Sequence, residues 1–337
     1  MFSPAHGDMP IEKVLEHLTT ALDVRRLNTE ITAFWDMPKE VAILYSRTTM
    51  IQADPAIMTA QTTPYLKALR DSYEAARCLD TGITFISEKQ IMAGLAGKYK
   101  LIILPATRNL PEVVFSALDT YVRQGGHVVV IPEALLADEY NRPQDYLGRW
   151  GITIGDTFVP EIESMGAAKQ RYDQNLERAV DFGAGRAVSA QVAMGVMEGL
   201  TIETHGLFQE VGLGDSAGGD VLLDIPLGQG QIWYLAGTPD RGSLSGLFDR
   251  AIDHAGIVRC FRVTDKAGNR VAGLEARMVQ REDDVLIYVS NEGGGELEFF
   301  IQTEKPYCTV RELRAMECYE EACGVIGADQ VLLFSLR

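Results

Sequence analysis

VAILYSRTTM (residues 41–50), GITFIS (82–87), KYKLIILPA (98–106) and GGHVVVIPEA (125–134) decide the fold of this chain. Three of their runs, Val41–Tyr45, Leu101–Leu104 and Val128–Ile131, are β-branched and apolar without polar alternation. Strands buried on both faces have that composition. Amphipathic stretches separate them. YLKALRDSYEAARCL places Tyr65, Leu66, Leu69, Tyr73, Ala76 and Leu79 on one helical face, and a second helix runs from Leu110-Pro111 to Arg123. Gly125-Gly126 supplies its stop. This is the βαβ rhythm of a doubly wound parallel sheet.

Outward from that stretch the pattern changes twice. Residues 134–215 are charged and glycine-rich, with weak strands at Ile152–Ile154 and Thr201–Thr204; Val221–Ile225 and Gln231–Leu235 then read as a hairpin around LGQG, and Leu244–Ala255 as a final helix. From Arg259 the period becomes two, in VAGLEARMVQ, DVLIYVSN, ELEFFIQ and VLLFSLR. That predicts an antiparallel β-domain, most simply a small sandwich. Ahead of the sheet, Asp8 and Pro10 signal a helix start. Ile11, Val14, Leu15, Leu18, Leu22 and Ile31 then recur at helical spacing, and such a stripe needs a cover. It either docks on the sheet domain or is the last helix of a domain that is not here. The expected division is 1–36, a helical segment; 37–258, the sheet domain; and 259–337, the β-sandwich.

Composition narrows the function. The 337 residues carry a net charge of −16, with no basic stripe to neutralise phosphates, which excludes nucleic acid and disfavours an anionic membrane surface. No run reaches the length of a membrane span. MFSPAHGDMP lacks the positive and apolar regions of a signal peptide, so a cytoplasmic location is expected. Cys78, Cys260, Cys308, Cys318 and Cys323 are odd in number and lack metal-ligand spacing. They read as free thiols, with no metal and no cofactor.

EVAILYSR, KYKLIILPA, YVRQGGHVVV, GQGQIWYLAG and VLIYVSN, in this order, resemble the non-catalytic half of glycoside hydrolase family 42, the β-galactosidase family. The resemblance covers Pro38 to Arg337. It implies a flavodoxin-like, class I glutamine amidotransferase-like trimerisation domain followed by a small C-terminal β-domain. It also implies a homo-oligomer, a trimer by preference, working with a catalytic (β/α)8 barrel in cis or in trans. That barrel would carry the two catalytic glutamates, and the 36 residues ahead of the sheet domain are too few to form one. No catalytic residue is therefore carried over.

Individual residues support no chemistry of their own. Asn291-Glu292 runs into three glycines between alternating strands, which is a turn. The join after Ile131 reads Pro132-Glu133-Ala134, without the Cys or Ser and flanking glycines of a nucleophile elbow. Gly228-Gln229-Gly230 precedes a strand, so it makes a hairpin turn instead of a phosphate loop. His6, His17, His127, His205 and His254 form no cluster in the sequence. Past the strand ends, Ser46, Arg47, Thr48, Thr107, Arg108 and Glu133 are the candidate lining of a ligand crevice. Tyr140 and Trp150, flanking the polar loop 141–145, are candidate partner-facing aromatics. The leading reading is an oligomerisation and accessory part of a β-galactosidase-like glycoside hydrolase. The alternatives are a small-molecule or carbohydrate-binding module and a stand-alone hydrolase with an unseen site.

Overall fold

A computed structural model of the chain describes residues 11–52, 64–158, 187–192, 222–235, 241–292, 294–304, 306–328 and 330–337. The helix start at Asp8 and Pro10 and the weak strand at Thr201–Thr204 lie outside them. The chain forms two compact units, Lys39–Val258 and a second made of Met1–Pro38 with Arg259–Arg337.

Helices α1 (Ile11–Arg26) and α2 (Asn28–Ala33) belong to the second unit. The first unit runs β1 (Val41–Tyr45), α3 (Arg47–Gln52), α4 (Pro64–Arg77), β2 (Ile83–Ser87), α5 (Glu88–Met92), β3 (Leu101–Leu104), α6 (Glu112–Arg123) and β4 (His127–Val130). It continues with α7 (Tyr146–Arg149), β5 (Ile152–Phe158), β6 (Ala187–Val192), β7 (Leu222–Leu227), β8 (Gly230–Leu235) and α8 (Arg241–His254). Six strands form one sheet in the order β2-β1-β3-β4-β8-β7. Every neighbouring pair is parallel except β7–β8.

The unalternated runs occupy the middle of this sheet, and the pleat sends their residues to opposite faces. Ala42, Leu44, Ile102, Leu104, Val128 and Val130 pack with Phe115 and Leu118 of α6. Val41, Ile43, Leu101, Ile103 and Val129 pack with Ala75 and Ala76 of α4 and with Leu247, Phe248 and Ile252 of α8. Two cores on two faces cover these strands, and of their residues only Tyr45, at the end of β1, is exposed. β5 and β6 form a separate two-stranded antiparallel pair.

α6 ends in a Schellman arrangement. Gly125 N–H donates to Val122 O (2.9 Å), Gly126 N–H donates to Tyr121 O (3.0 Å), and Gly125 takes φ +108°. The β7–β8 turn docks onto this end: Gln229 N–H donates to Arg123 O (3.0 Å), and Gln231 N–H to Gly126 O (3.2 Å). Gly230 makes the approach possible. A Cβ there would lie 2.1 Å from Gly126 O and 2.2 Å from Val122 O.

The second unit continues with β9 (Phe261–Thr264), β10 (Leu274–Gln280), β11 (Val285–Asn291), β12 (Leu297–Thr303), β13 (Val310–Glu312), β14 (Glu317–Tyr319), β15 (Cys323–Ile326) and β16 (Val331–Leu336). Two antiparallel sheets, β10-β11-β16-β13-β14 and β15-β12-β9, share one core that includes Ala276, Ile287, Phe299, Ile301 and Phe334. The turn between β10 and β11 is locked by Asp284. Its carboxylate accepts two hydrogen bonds from the Arg281 guanidinium (2.6 and 2.7 Å) and one from Ser335 Oγ (2.5 Å).

The N-terminal stripe, read as one helix needing a cover, breaks at buried Leu27 into α1 and α2. Its contacts are with the β-sheets of its own unit. Arg26 donates to Leu313 O (2.8 Å) and Arg314 O (3.0 Å), while Arg314 Nε donates to Asp23 (3.0 Å). The Arg26 guanidinium holds the Asp23 carboxyl below its ordinary range, against the opposing effect of burial and with help from Arg314. Ile11, Leu15, Leu18 and Leu22, spaced along one side of α1, each stay more than half exposed.

Candidate functional site

In open parallel sheets, ligands bind beyond the carboxyl ends of the strands. Here those ends carry Ser46 after β1, Glu88 after β2, Thr107 and Arg108 after β3, and Glu133 after β4. The structure brings Ser46 and Glu88 together and turns them inward. Ser46 is fully buried and caps α3, its Oγ accepting from Thr49 N–H (3.0 Å) and donating to Glu88 Oε1 (2.6 Å). Glu88 also accepts from Thr48 N–H (3.3 Å) and Thr48 Oγ1 (2.9 Å). Below them, Tyr65 OH accepts from Ser46 N–H (2.5 Å) and donates to Leu44 O (3.1 Å). Burial pushes its phenol far above the ordinary value.

The network continues across the strand ends. Thr49 Oγ1 donates to Asn109 O (2.9 Å) and accepts from Asn109 N–H (3.1 Å). Asn109 Nδ2 donates to Asp138 O and Asn141 Oδ1, both at 3.1 Å. Asp138 in turn accepts from Tyr140 N–H and Arg142 N–H, each at 2.9 Å. Burial pushes its pKa up, yet the Arg142 and Tyr140 N–H groups prevail and hold the carboxyl below its ordinary range. Gln52 reaches over to donate to Glu139 O (2.6 Å).

The loops after β3 and β4 are joined backbone to backbone. Leu135 N–H donates to Thr107 O (2.8 Å), Leu136 N–H to Arg108 O (2.9 Å) and Leu110 N–H to Ala137 O (2.9 Å). This leaves Thr107 fully buried, its hydroxyl donating to Pro105 O (3.3 Å). Arg108 and Glu133 are half-buried and Arg47 is exposed. Four non-glycine residues in these loops take left-handed backbone: Ala106 (φ +41°), Glu133 (φ +68°), Leu135 (φ +62°) and Asn141 (φ +59°). Glu133 stands on left-handed backbone just past β4, where a nucleophile elbow would carry Cys or Ser, but its side chain is a carboxylate. The chain then enters the joined loop, and the next helix, α7, begins only at Tyr146. Tyr234, buried in β8, has its phenol raised first by burial and then by the Glu133 charge.

The two aromatic candidates separate. Tyr140 is 67% exposed, with the Arg142 guanidinium 5.1 Å over its ring. Trp150, read as partner-facing, is 2% exposed and belongs to the core. Its ring lies 5.0 Å from Phe115, and its Nε1–H donates to Asp119 Oδ1 (3.1 Å). Phe115 also stacks on Tyr146 at 4.4 Å. Burial, then the charge of Glu112, pushes the Tyr146 phenol up to about 12. Among the described residues no group of three or more His, Cys, Asp or Glu is placed to hold a metal ion. All five cysteines are free thiols. No helix of the described residues is long and apolar enough to cross a membrane. Asn291 is buried at the end of β11, with Nδ2 donating to Gly295 O (2.7 Å) and Ile326 O (3.0 Å), so it fastens a turn.

The other unit has a groove of roughly 660 Å³ between α1–α2 and the larger sheet. Leu27, Ile31, Phe34, Tyr288 and Leu333 give it an apolar lining. Its charged groups are paired: Arg314 with Asp23, and Arg277 with Glu275 (2.9 Å).

Residues 39–258 match the family model described as the β-galactosidase trimerisation domain. No curated protein sequence matches the chain. Among solved structures, Gan42B, a GH42 β-galactosidase from G. stearothermophilus, is similar at 16% identity and a TM-score of 0.62. The match covers 89% of this chain and 40% of that one. The β-galactosidase from Rahnella sp. R3 is similar at 15% identity and a TM-score of 0.62, covering 89% of this chain and 41% of that one. The β-galactosidase from Bacillus circulans sp. alkalophilus is similar at 15% identity and a TM-score of 0.57, covering 89% and 42%. At these identities the likeness is one of fold, and this chain spans about two fifths of each of those structures.

Proposed function

The chain belongs to the family of β-galactosidase trimerisation domains, and from that premise we propose that it is the assembly and accessory portion of a β-galactosidase-like glycoside hydrolase. In this reading it self-associates through the unit Lys39–Val258, as a trimer, and works with a catalytic (β/α)8 barrel in cis or in trans. The observation that carries the reading is the filled crevice. Ser46, Thr48, Thr49, Glu88 and Asn109 spend hydrogen bonds on one another, and Asp138 spends its carboxylate on the Tyr140 and Arg142 N–H groups, in a domain whose family is defined by assembly. The strand order β2-β1-β3-β4-β8 supports the finer description as flavodoxin-like and amidotransferase-like. The exposed face of α1 at Ile11, Leu15, Leu18 and Leu22 is an apolar stripe of the kind a protein partner covers. Five free thiols fit a reducing compartment, and we place the protein in the cytoplasm.

Light scattering on the purified chain at tens of micromolar tests the assembly. A trimer mass is expected, and a monomer mass at every concentration overturns self-association. The same preparation is expected to hydrolyse no aryl-β-galactoside. Turnover that follows the protein through purification would return the crevice to consideration as an active site.

A second reading rests on the strained backbone at Ala106, Glu133 and Leu135, because strain of this kind concentrates at functional sites. The mouth of the crevice would bind a polar small molecule between Arg108 and Glu133, with Arg47 at its rim. A thermal-shift screen of sugars and metabolites tests this. A hit abolished by both Arg108→Ala and Glu133→Ala supports binding, and an empty screen leaves the assembly role alone.

A further inference from the structure

At the opposite end of the sheet from the crevice, two imidazoles meet across a helix–sheet joint. His127 is the first residue of β4 and half-buried; His254 is the last residue of α8. Their ring centroids are 5.3 Å apart, nearly edge to face at 84°. The Trp233 ring of β8 lies 5.4 Å from His254. A ring nitrogen of His254, Nε2, hydrogen-bonds Gln231 Oε1 at 2.7 Å, and Gln231 Nε2 donates to Asp224 Oδ1 of β7. Leu101, Val128, Val129 and Ala251 line a small cavity beside the pair, and His254 itself is exposed. The joint therefore fastens the last turn of α8 to three strands, shortly before the unit ends at Val258.

We propose that this joint is an acid-sensitive latch: it holds the C-terminal turn of α8 on the sheet while at least one imidazole is neutral and releases it when both carry a proton. An edge-to-face ring pair is favourable between neutral rings, whereas two cations at this separation, one of them half-buried, repel and lose hydration. The other charged groups around the pair do not offset this fully. Asp224 faces His127 from β7 and favours its protonation, but its carboxylate is already engaged by Gln231. Lys100, ahead of β3, adds positive charge near the helix end, donating to Gly256 O (3.0 Å) while paired with Glu40 (2.8 Å). On the last turns of α8 itself, Asp249 and Asp253 contribute two negative charges and Arg250 one positive. Tyr121 OH donates to His127 O and does not titrate in this range.

Burial first, and the neighbouring His254 second, hold the His127 imidazole below its ordinary value. A histidine depressed in this way favours the folded state fully above its unfolded value of about 6.5. That contribution falls away as pH drops from there through the folded value. The latch therefore opens on the acid side of neutrality.

Hydrogen exchange of the intact chain at pH 7.5 and pH 5.0, corrected for intrinsic rates, tests the latch, with the amides of α6 as the internal reference. Protection at Asp249–Gly256 is expected to fall at least tenfold more than in α6 on acidification. His127→Gln, which keeps a polar side chain without a titrating charge, is expected to abolish that difference. Equal loss in both helices, or an unchanged difference in His127→Gln, overturns the proposal. If His127→Gln does not fold, proton NMR titration of the two rings in the wild type decides the matter. Protonation of His254 must then lower the apparent value of His127, and independent titration overturns the latch.

Discussion

Gly230→Ala measures how tightly the β7–β8 turn is fitted to the end of α6. The added methyl would meet Gly126 O at 2.1 Å and Val122 O at 2.2 Å, both of them backbone atoms. Ordinary contact needs about 1 Å more, so one side of the joint must move. Gly230 is not among the residues with left-handed backbone, so the cost is steric. Overpacking of this kind costs about 1–3 kcal/mol. The movement also breaks the bonds from Gln229 N–H to Arg123 O and from Gln231 N–H to Gly126 O, at about 1 kcal/mol each. The total is about 4 kcal/mol. For a unit of this size that corresponds to a fall in Tm of roughly 12 °C. Gly94→Ala is the control: it sits at φ +76° with nothing within 4 Å of an added methyl, so only the left-handed penalty of about 1 kcal/mol applies. Differential scanning calorimetry, read on the transition of the sheet unit, makes the comparison. If Gly230→Ala loses no more than Gly94→Ala, the docking of the turn on α6 is not what holds this end of the sheet.

Three further outcomes are expected. Glu133→Gly relieves a left-handed residue and should raise Tm by roughly 1–3 °C, from about 0.5–1 kcal/mol after the entropy cost of glycine; a fall in Tm would mean that the contacts of the carboxylate outweigh the strain. Trp150→Ala removes a buried indole from Phe115 and Asp119 and should cost about 3–5 kcal/mol in denaturant titration, whereas a surface aromatic would cost almost nothing. Asp284 is held below its ordinary range chiefly by the Arg281 guanidinium, so its contribution is complete above about pH 3.9 and is lost as pH falls through its folded value; the acid-induced drop in Tm of the β-unit should shrink in Asp284→Asn, and identical pH profiles would contradict that assignment.

The parts of the fold legible in the sequence were those set by local burial. VAILY, LIIL and HVVV lack alternation because both faces of those strands are covered. Edge strands β2 and β7 are only partly buried, and their composition is mixed accordingly. α3 was missed, although Ser46 with Thr49 three residues on is a capping pattern. β6, AVSAQV, gave no signal because small and polar residues have no strong period. The site was less legible, because its decisive contacts are distant in sequence. Glu88 stood outside the candidate residues, yet it binds Ser46 and Thr48 some forty residues away. Trp150 was judged from its polar neighbours, while the groups that bury it, Phe115 and Asp119, lie a helix earlier. Of the resemblance motifs, YVRQGG and GQGQIW turn out to be the two halves of one joint, so what they encode is a fit between backbones.

That joint has a consequence for how the gene can be edited. β4 and β8 lie side by side in the sheet, yet nearly a hundred residues separate Val130 from Gly230. Because the returning hairpin is clamped to α6, the clamp sets the strand's position whatever the length of chain between. Doubling or halving such a detour changes the closure entropy by only about 0.6 kcal/mol. Lengthening or shortening the gene between those two strands is therefore expected to leave β8 in the register against β4 that the clamp sets.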